Sequence, residues 1–63
     1  MEIQEMKPED LKVRRQRLKM TQFELARRMN VDIRTIKRWE SGETTISRMI
    51  DLAIRAIESE EVN

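Results

Sequence analysis

The chain has 63 residues and carries 13 Lys and Arg against 12 Asp and Glu, a net charge of +1. This length allows one small domain, and the absence of Cys and His excludes disulfides, thiolate chemistry and the commonest general base and metal ligand. One Phe, one Trp, one Gly and one Pro are too few for a sheet with its turns, so the composition favours helices. We expect no enzyme, no cofactor and no metal.

The charges are distributed unevenly along the chain. Residues 12–38 hold ten of the 13 basic residues and only two acidic ones, a local charge of +8, which leaves −7 on the remainder. Nine of the 13 cations are Arg, whose planar guanidinium suits phosphate and guanine. This pattern predicts a cationic surface that faces a polyanion, although helices rich in surface charge would produce a similar count.

The chain contains no long apolar segment, since its longest apolar run is residues 52–54. Neither a signal peptide nor a membrane span is therefore predicted, and the protein is expected in the cytoplasm. We expect an N-terminal extension over residues 1–7, a folded domain over residues 8–58 and a C-terminal tail over residues 59–63. The starting Met and the acidic ending favour a complete small protein.

The first predicted helix begins at Pro8, which suits the first turn of a helix. Leu11, Arg15 and Leu18 follow at i, i+4 and i+7 and share one face. An arginine therefore lies on an otherwise apolar stripe.

The second helix is predicted from its cap. Thr21 and Glu24 have the spacing of a capping box, and Met20 and Leu25 that of a hydrophobic staple. Asn30 follows, a residue that tolerates the left-handed conformation in which many helices end.

The third helix is predicted to begin at the cap residue Asp32, so only residues 30–32 separate it from the second. Helices joined so tightly meet at a sharp corner. Ile36 and Trp39 share the inner face. The opposite face carries Ile33, Arg34, Lys37, Arg38 and Ser41, and Gly42 ends the helix.

The fourth helix is predicted over residues 45–58. Its charges form one narrow stripe, Arg48, Asp51, Arg55 and Glu58, and most of its other positions are apolar. Two interpretations remain open: the helix is the central pillar of the core, or part of its apolar surface is a candidate dimer face made of Ile50, Ile54 and Ile57.

The spacing of the second and third segments resembles a DNA-binding helix-turn-helix. The positions that carry this likeness are Leu25, Ala26, Met29, Asn30, Val31, Ile36 and Trp39. Together with Arg15 and the strings Thr-Gln-Phe-Glu-Leu-Ala and Thr-Ile-Lys-Arg-Trp-Glu-Ser-Gly, they resemble the phage-repressor/Cro-like (XRE) family over about residues 8–57. The chain departs from that family at Arg14, where an apolar residue is usual, and at Glu43, where a cation is common.

The resemblance implies an all-α fold, a compact bundle of four or five short helices that contains the helix-turn-helix, although the chain is short for the family's usual fifth helix. It also implies an ion pair between Arg15 and Glu40. Base-reading positions implied by the family are Ile33, Arg34, Lys37 and Arg38, each with a phosphate contact as the alternative. Phosphate-contacting positions implied by the family are Thr21, Gln22, Ser41, Thr45 and Arg48.

The function implied is sequence-specific binding of double-stranded DNA by a transcriptional regulator, a repressor, acting as a homodimer on a two-fold operator. One alternative is an antitoxin that binds both DNA and a toxin protein. The other is a protein-interaction module that has kept the fold and lost DNA binding.

Overall fold

A computed structural model of the chain describes residues 6–61, and these form four helices. They are α1 (Pro8–Arg17), α2 (Gln22–Met29), α3 (Ile33–Ser41) and α4 (Arg48–Glu61). The described part of the chain contains no fifth helix and no strand, apart from an isolated antiparallel bridge between Met6 and Ile46. The predicted all-α fold of four helices is confirmed.

The α2–α3 junction has the predicted caps. The Glu24 amide donates to Thr21 Oγ1 at 3.0 Å, and the Thr21 amide donates to Glu24 Oε1 at 2.7 Å, which completes the capping box. Asn30 adopts the left-handed conformation with φ 59° and ψ 45°. The Val31 amide then donates to the Ala26 carbonyl at 2.9 Å, so the chain reverses within one residue of the helix end.

Two further left-handed residues lie at the ends of α3 and α1. Gly42 ends α3 with φ 83°, and the Glu43 amide donates to the Arg38 carbonyl at 3.0 Å. Lys19 follows α1 with φ 59°, although sequence analysis expected no such residue there. A lysine has no side-chain property that favours this conformation, and only the path from α1 to α2 requires it.

The predicted bounds of the fourth helix were wrong at both ends. The helix begins at Arg48 rather than residue 45, because Ile46 is buried and bridges to Met6 in an extended segment. It continues to Glu61 rather than ending at residue 58, and Arg28 forms ion pairs with Glu60 and Glu61 in the last turn. Residues 1–5 of the predicted extension and 62–63 of the predicted tail lie outside the described residues.

The core is a single apolar cluster to which every helix contributes. Its buried members are Leu11, Leu25, Ala26, Ile36, Trp39, Ile46, Ile54 and Ile57. Because Ile54 and Ile57 are buried within one chain and Ile50 packs partly against the same cluster, the candidate dimer face made of these three residues is wrong. Instead, α4 contributes Ile54 and Ile57 to the core.

No helix within residues 6–61 is long and apolar enough to cross a membrane.

Candidate nucleic-acid interface

The two helices α2 and α3 and the turn between them form one unit fixed by apolar contacts. Leu25 and Ala26 of α2 are buried with Ile36 and Trp39 of α3. Ala26 is small, which lets the two helices approach closely at their crossing. Met29 and Val31 pack partly against the same cluster, while Asn30 is exposed at the corner. The face of α3 that carries Ile36 and Trp39 is therefore buried in the core.

The outer face of α3 is exposed and cationic. Arg34, Lys37 and Arg38 are all exposed, and the Arg34 side chain keeps 78% of its accessible surface. Ile33 at the first turn is half-buried against the core, so only part of its side chain reaches the surface. Three cations within two turns, with no apolar side chain between them, give this face a strong positive field.

Asp32 is an acidic residue that contacts Arg34 at the start of that face. Its carboxylate accepts from the Arg34 amide at 2.8 Å and lies 3.4 Å from Arg34 Nε. The backbone hydrogen bond from Arg34, followed by the bond from its side chain, lowers the pKa of Asp32. The cap residue is therefore charged at neutral pH and orients Arg34 at the start of α3.

The start of α2 lies against α3 through Gln22. Its side-chain Nε2 donates to Glu40 Oε1 at 3.1 Å, and the side chain is half-buried. The family resemblance assigned Gln22 to a phosphate contact. Sequence analysis missed the bond to Glu40, which depends on how α2 packs on α3 and has no signal in the local sequence.

The segment after α3 is exposed and polar. Ser41 Oγ donates to the Arg38 carbonyl at 3.1 Å and accepts from the Glu43 amide at 3.4 Å, so the hydroxyl helps to end the helix. Thr45 and Arg48 are exposed on either side of the buried Ile46. Glu43, where the XRE family commonly has a cation, is exposed in this segment and reduces its positive charge.

An ion pair connects α1 with α3, the second helix of the helix-turn-helix. Arg15 Nε donates to Glu40 Oε2 at 2.6 Å and Arg15 Nη2 donates to Glu40 Oε1 at 3.1 Å. The two side chains retain only 11% and 6% of their accessible surface. Arg15 Nη1 also donates to the Met20 carbonyl at 2.9 Å. This network orients α1, α3 and the approach to α2 together.

A second arginine of α1 binds α4. Arg14 Nη1 donates to Asp51 Oδ1 at 2.7 Å, and its Nε donates to Glu58 Oε2 at 2.9 Å. The hydrogen bond with Glu58 is the main cause that raises the pKa of Arg14, and Arg14 in turn lowers the pKa of both carboxylates. Sequence analysis noted Arg14 as a departure from the family and missed this role. The only signal was that Asp51 and Glu58 lie seven residues apart on one face.

These ion pairs reduce the cationic surface that the sequence count suggested. Of the ten cations in residues 12–38, Arg14 and Arg15 point into the molecule and Arg28 binds two glutamates at the end of α4. Arg27 lies over the exposed Phe23 ring, 5.9 Å from its centroid. Within residues 6–61, no group of acidic side chains has the arrangement of a metal site.

A helix-turn-helix whose second helix buries one face and exposes three cations on the other is the architecture of a nucleic-acid-binding domain. A family model described as a helix-turn-helix matches residues 11–54, well over half of the chain. The chain therefore belongs to the phage-repressor/Cro-like (XRE) helix-turn-helix family. This membership supports a DNA-binding function of the transcription-regulator type, in a family that is typically non-enzymatic. Comparisons with curated proteins and with solved structures gave no significant match.

Proposed function

We propose that the protein is a sequence-specific regulator of transcription that binds double-stranded DNA and acts as a repressor by occupying a promoter. The observation that carries this proposal is the division of α3 into two faces. Ile36 and Trp39 are buried, while Arg34, Lys37 and Arg38 are exposed on the opposite side. A helix anchored in this way can enter the major groove without disturbing the core.

Base recognition is assigned to the outer face of α3. Arg34 and Arg38 lie four residues apart, one turn along the helix. Each guanidinium matches the O6 and N7 acceptors of a guanine, and each such pair contributes about 1–3 kcal/mol of discrimination. Lys37 lies between them and contacts a base or a phosphate, and the exposed part of Ile33 is suited to a thymine methyl group.

Phosphate contacts are assigned to two groups of residues outside this face, one at the start of α2 and one at the end of α3 and after it. The start of α2 favours an anion, because the first amides of a helix are free to donate and the helix dipole is positive there. The side chains of Thr21 and Gln22 lie at this helix N-terminus. The bond to Glu40 limits the motion of the Gln22 amide group. Ser41 at the end of α3, and Thr45 and Arg48 after it, are also exposed. Contacts of this kind set affinity and register, while base contacts set the sequence.

The operator is proposed to be two-fold symmetric and bound by a homodimer. A dimer of helix-turn-helix units reads two half-sites about one helical turn, or about 34 Å, apart. Repression then requires only that the dimer occupies a site overlapping a promoter.

The test is a selection of bound sequences from a random duplex pool, followed by affinity measurements at several salt concentrations. We expect a two-fold motif with guanines in each half, and an affinity that falls steeply with salt because bound phosphates release counterions. The triple variant Arg34→Ala, Lys37→Ala, Arg38→Ala should lose sequence-specific binding while its circular dichroism stays unchanged.

A charge-matched control separates base reading from general attraction. Lys12, Arg17 and Arg55 are exposed cations on α1 and α4, and their replacement by Ala removes the same charge. This control should bind the selected motif with its sequence preference intact. Equal losses in the two triple variants, or specific binding that survives in the α3 variant, would refute the assignment of the interface.

The alternative of a protein-interaction module is disfavoured by the same three side chains, because an adaptor has no need for three exposed cations on one helix face. Binding of the selected duplex by the purified chain alone distinguishes a DNA-binding protein from such a module.

A further inference from the structure

Glu43 is an acidic residue whose charge the fold does not use. Glu9 lies in the first turn of α1, where the helix dipole favours an anion. The exposed carboxylate of Glu43 has no such position, and within residues 6–61 it accepts no hydrogen bond and forms no ion pair. The other acidic side chains of residues 6–61 cap a helix or form an ion pair, and they are Asp10, Glu24, Asp32, Glu40, Asp51, Glu58, Glu60 and Glu61.

The charge of Glu43 also lies at the unfavourable end of α3. Gly42 ends that helix, and the Glu43 amide donates to the Arg38 carbonyl at 3.0 Å, so Glu43 adjoins the last turn. The carbonyl groups of a last turn carry a partial negative charge, which repels an anion. The stability of α3 therefore gives no reason for an acidic residue at this position.

The proposed mode of DNA binding brings Glu43 to the phosphate backbone. The N-terminal residues of a recognition helix contact bases in the major groove. A helix rises about 1.5 Å per residue, so Ser41 at the end of α3 lies about 10 Å beyond Arg34, nearly the groove width of about 12 Å. Glu43 follows two residues later and therefore lies at the wall of the groove, where the phosphates are.

The two parts of the proposed interface differ in charge. The outer face of α3 carries three exposed cations, Arg34, Lys37 and Arg38. The segment 42–48 carries one exposed cation, Arg48, and Glu43 cancels its charge. The attraction to phosphates is therefore weaker after α3 than along its outer face.

We propose that Glu43 limits the affinity of the protein for DNA, because its carboxylate faces a backbone phosphate in the complex. This inference rests on the proposed function, since it uses the position of α3 in the major groove. Phosphate contacts carry no sequence information, so the repulsion weakens binding to every duplex by a similar factor. The base contacts of Arg34 and Arg38 stay intact, while DNA of unrelated sequence is bound only weakly.

The test is the affinity of the full chain for two fluorescent duplexes, one of random sequence and one with the selected motif, at several salt concentrations. Glu43→Gln removes the repulsion and should bind both duplexes severalfold more tightly than the wild type at about 0.1 M salt. Glu43→Lys should add one phosphate contact, which makes the slope of log K against log salt steeper by about 0.9. Its advantage over Glu43→Gln should therefore grow about eightfold for each tenfold reduction in salt.

Glu60→Gln is the matched control. It removes the same charge from an exposed glutamate at the end of α4, and Arg28 keeps Glu61 as its partner. Arg28 lies in the last turn of α2, whereas the first turn of that helix is the part assigned to DNA. The length of α2, about 12 Å, exceeds the Debye length of about 10 Å at 0.1 M salt, so this control should change the affinity less than about twofold. Equal gains in Glu43→Gln and Glu60→Gln, or no gain in either Glu43 variant, overturn the proposal.

The role of Glu43 and the proposed function fail in distinguishable ways. If a motif is selected but both Glu43 variants bind like the wild type, the role of Glu43 is wrong and the function stands. If no motif is selected while both Glu43 variants bind the random duplex more tightly and Glu60→Gln does not, sequence-specific regulation is wrong and the role of Glu43 stands. If neither the wild type nor Glu43→Lys binds any duplex, both are wrong. We expect Glu43→Gln to select the same motif as the wild type, because the base contacts lie on α3.

Discussion

Three residues of the described chain have left-handed backbones, and each follows the last residue of a helix or lies close to it. Gly42 has φ 83°, and Asn30 and Lys19 both have φ 59°. Glycine adopts this conformation without steric cost and asparagine at a small one, whereas a residue such as lysine loses about 1–2 kcal/mol. The turn between α1 and α2 is therefore the local site at which backbone strain is largest.

Replacement of this lysine should stabilise the protein. We expect Lys19→Gly to raise the free energy of unfolding by about 0.5–1 kcal/mol, because the relief of strain exceeds the entropy that glycine adds to the unfolded chain. Urea unfolding followed by circular dichroism measures the change. Lys12→Gly, inside α1, is the control and should cost about 1 kcal/mol. A loss of stability in Lys19→Gly would contradict the strain argument.

At the scale of elements, α1 is attached to the rest of the molecule by two consecutive arginines that point to different helices. Arg15 reaches Glu40 of α3, and Arg14 reaches Asp51 and Glu58 of α4. The first pair is nearly inaccessible to water, whereas the second is partly solvated. The two attachments should therefore respond differently to mutation.

Removal of one partner of the Arg15–Glu40 ion pair should strongly reduce the stability of the protein. Glu40→Ala leaves Arg15 without a counter-charge and Gln22 without an acceptor, and a buried pair broken in this way costs about 3–5 kcal/mol. A chain of this length has only about 3–9 kcal/mol of stability in total. Thermal unfolding should show a large loss in midpoint. The double variant Arg15→Met, Glu40→Met should recover part of it, since no unpaired charge remains. Equal losses in both variants would argue against a buried charge as the cause.

The ion pairs of Arg14 with Asp51 and Glu58 should make the stability of the protein depend on pH in the acid range. Arg14 lowers the pKa of Asp51 and Glu58 in the folded chain, so the unfolded chain binds protons at a higher pH than the folded one. The stabilisation is therefore complete at neutral pH, begins to fall near the ordinary carboxyl pKa of about 4, and disappears below the folded values.

The variant Arg14→Leu tests this dependence. At neutral pH it should be less stable than the wild type, because Asp51 and Glu58 lose their cation, and the difference should narrow as the pH falls below about 4. Urea unfolding at a series of pH values measures both curves. Lys12→Leu, at an exposed position of the same helix, should run parallel to the wild type. A constant difference between Arg14→Leu and the wild type at all pH values would exclude this linkage.

At the scale of the whole molecule, buried apolar residues and exposed charged residues lie on different faces of the same helices rather than in different segments of the sequence. Four of the ten cations in residues 12–38 are exposed on α1, on α2 and in the turn between them: Lys12, Arg17, Lys19 and Arg27. The other six lie in three places: the inside of the α1 contacts, the end of α4 and the outer face of α3. Only the last is free to face DNA without breaking an ion pair between helices. Under the proposed function, sequence recognition should therefore depend on Arg34, Lys37 and Arg38 rather than on the total charge of the segment.

Much of the fold and of the candidate interface was predictable from local sequence patterns. The capping box at Thr21 and the left-handed corner at Asn30 depend on residues close in sequence, and so does the apolar face that contains Ile36 and Trp39. Hydrogen bonds and periodicity over a few residues determine such features, and the structure has them where the sequence indicated. The helix-turn-helix and its likeness to the family follow from these local patterns.

Other features were decided only by tertiary structure, because they depend on which distant surfaces meet. The sequence left α4 with two interpretations, and packing against the other helices buried Ile54 and Ile57 while leaving Met49 and Leu52 exposed. The partners of Arg14 lie 37 and 44 residues away, a separation over which periodicity carries no information. Local sequence therefore determined where the helices begin, turn and face inward. The global packing decided which of their remaining side chains pair with each other and which stay available for a partner.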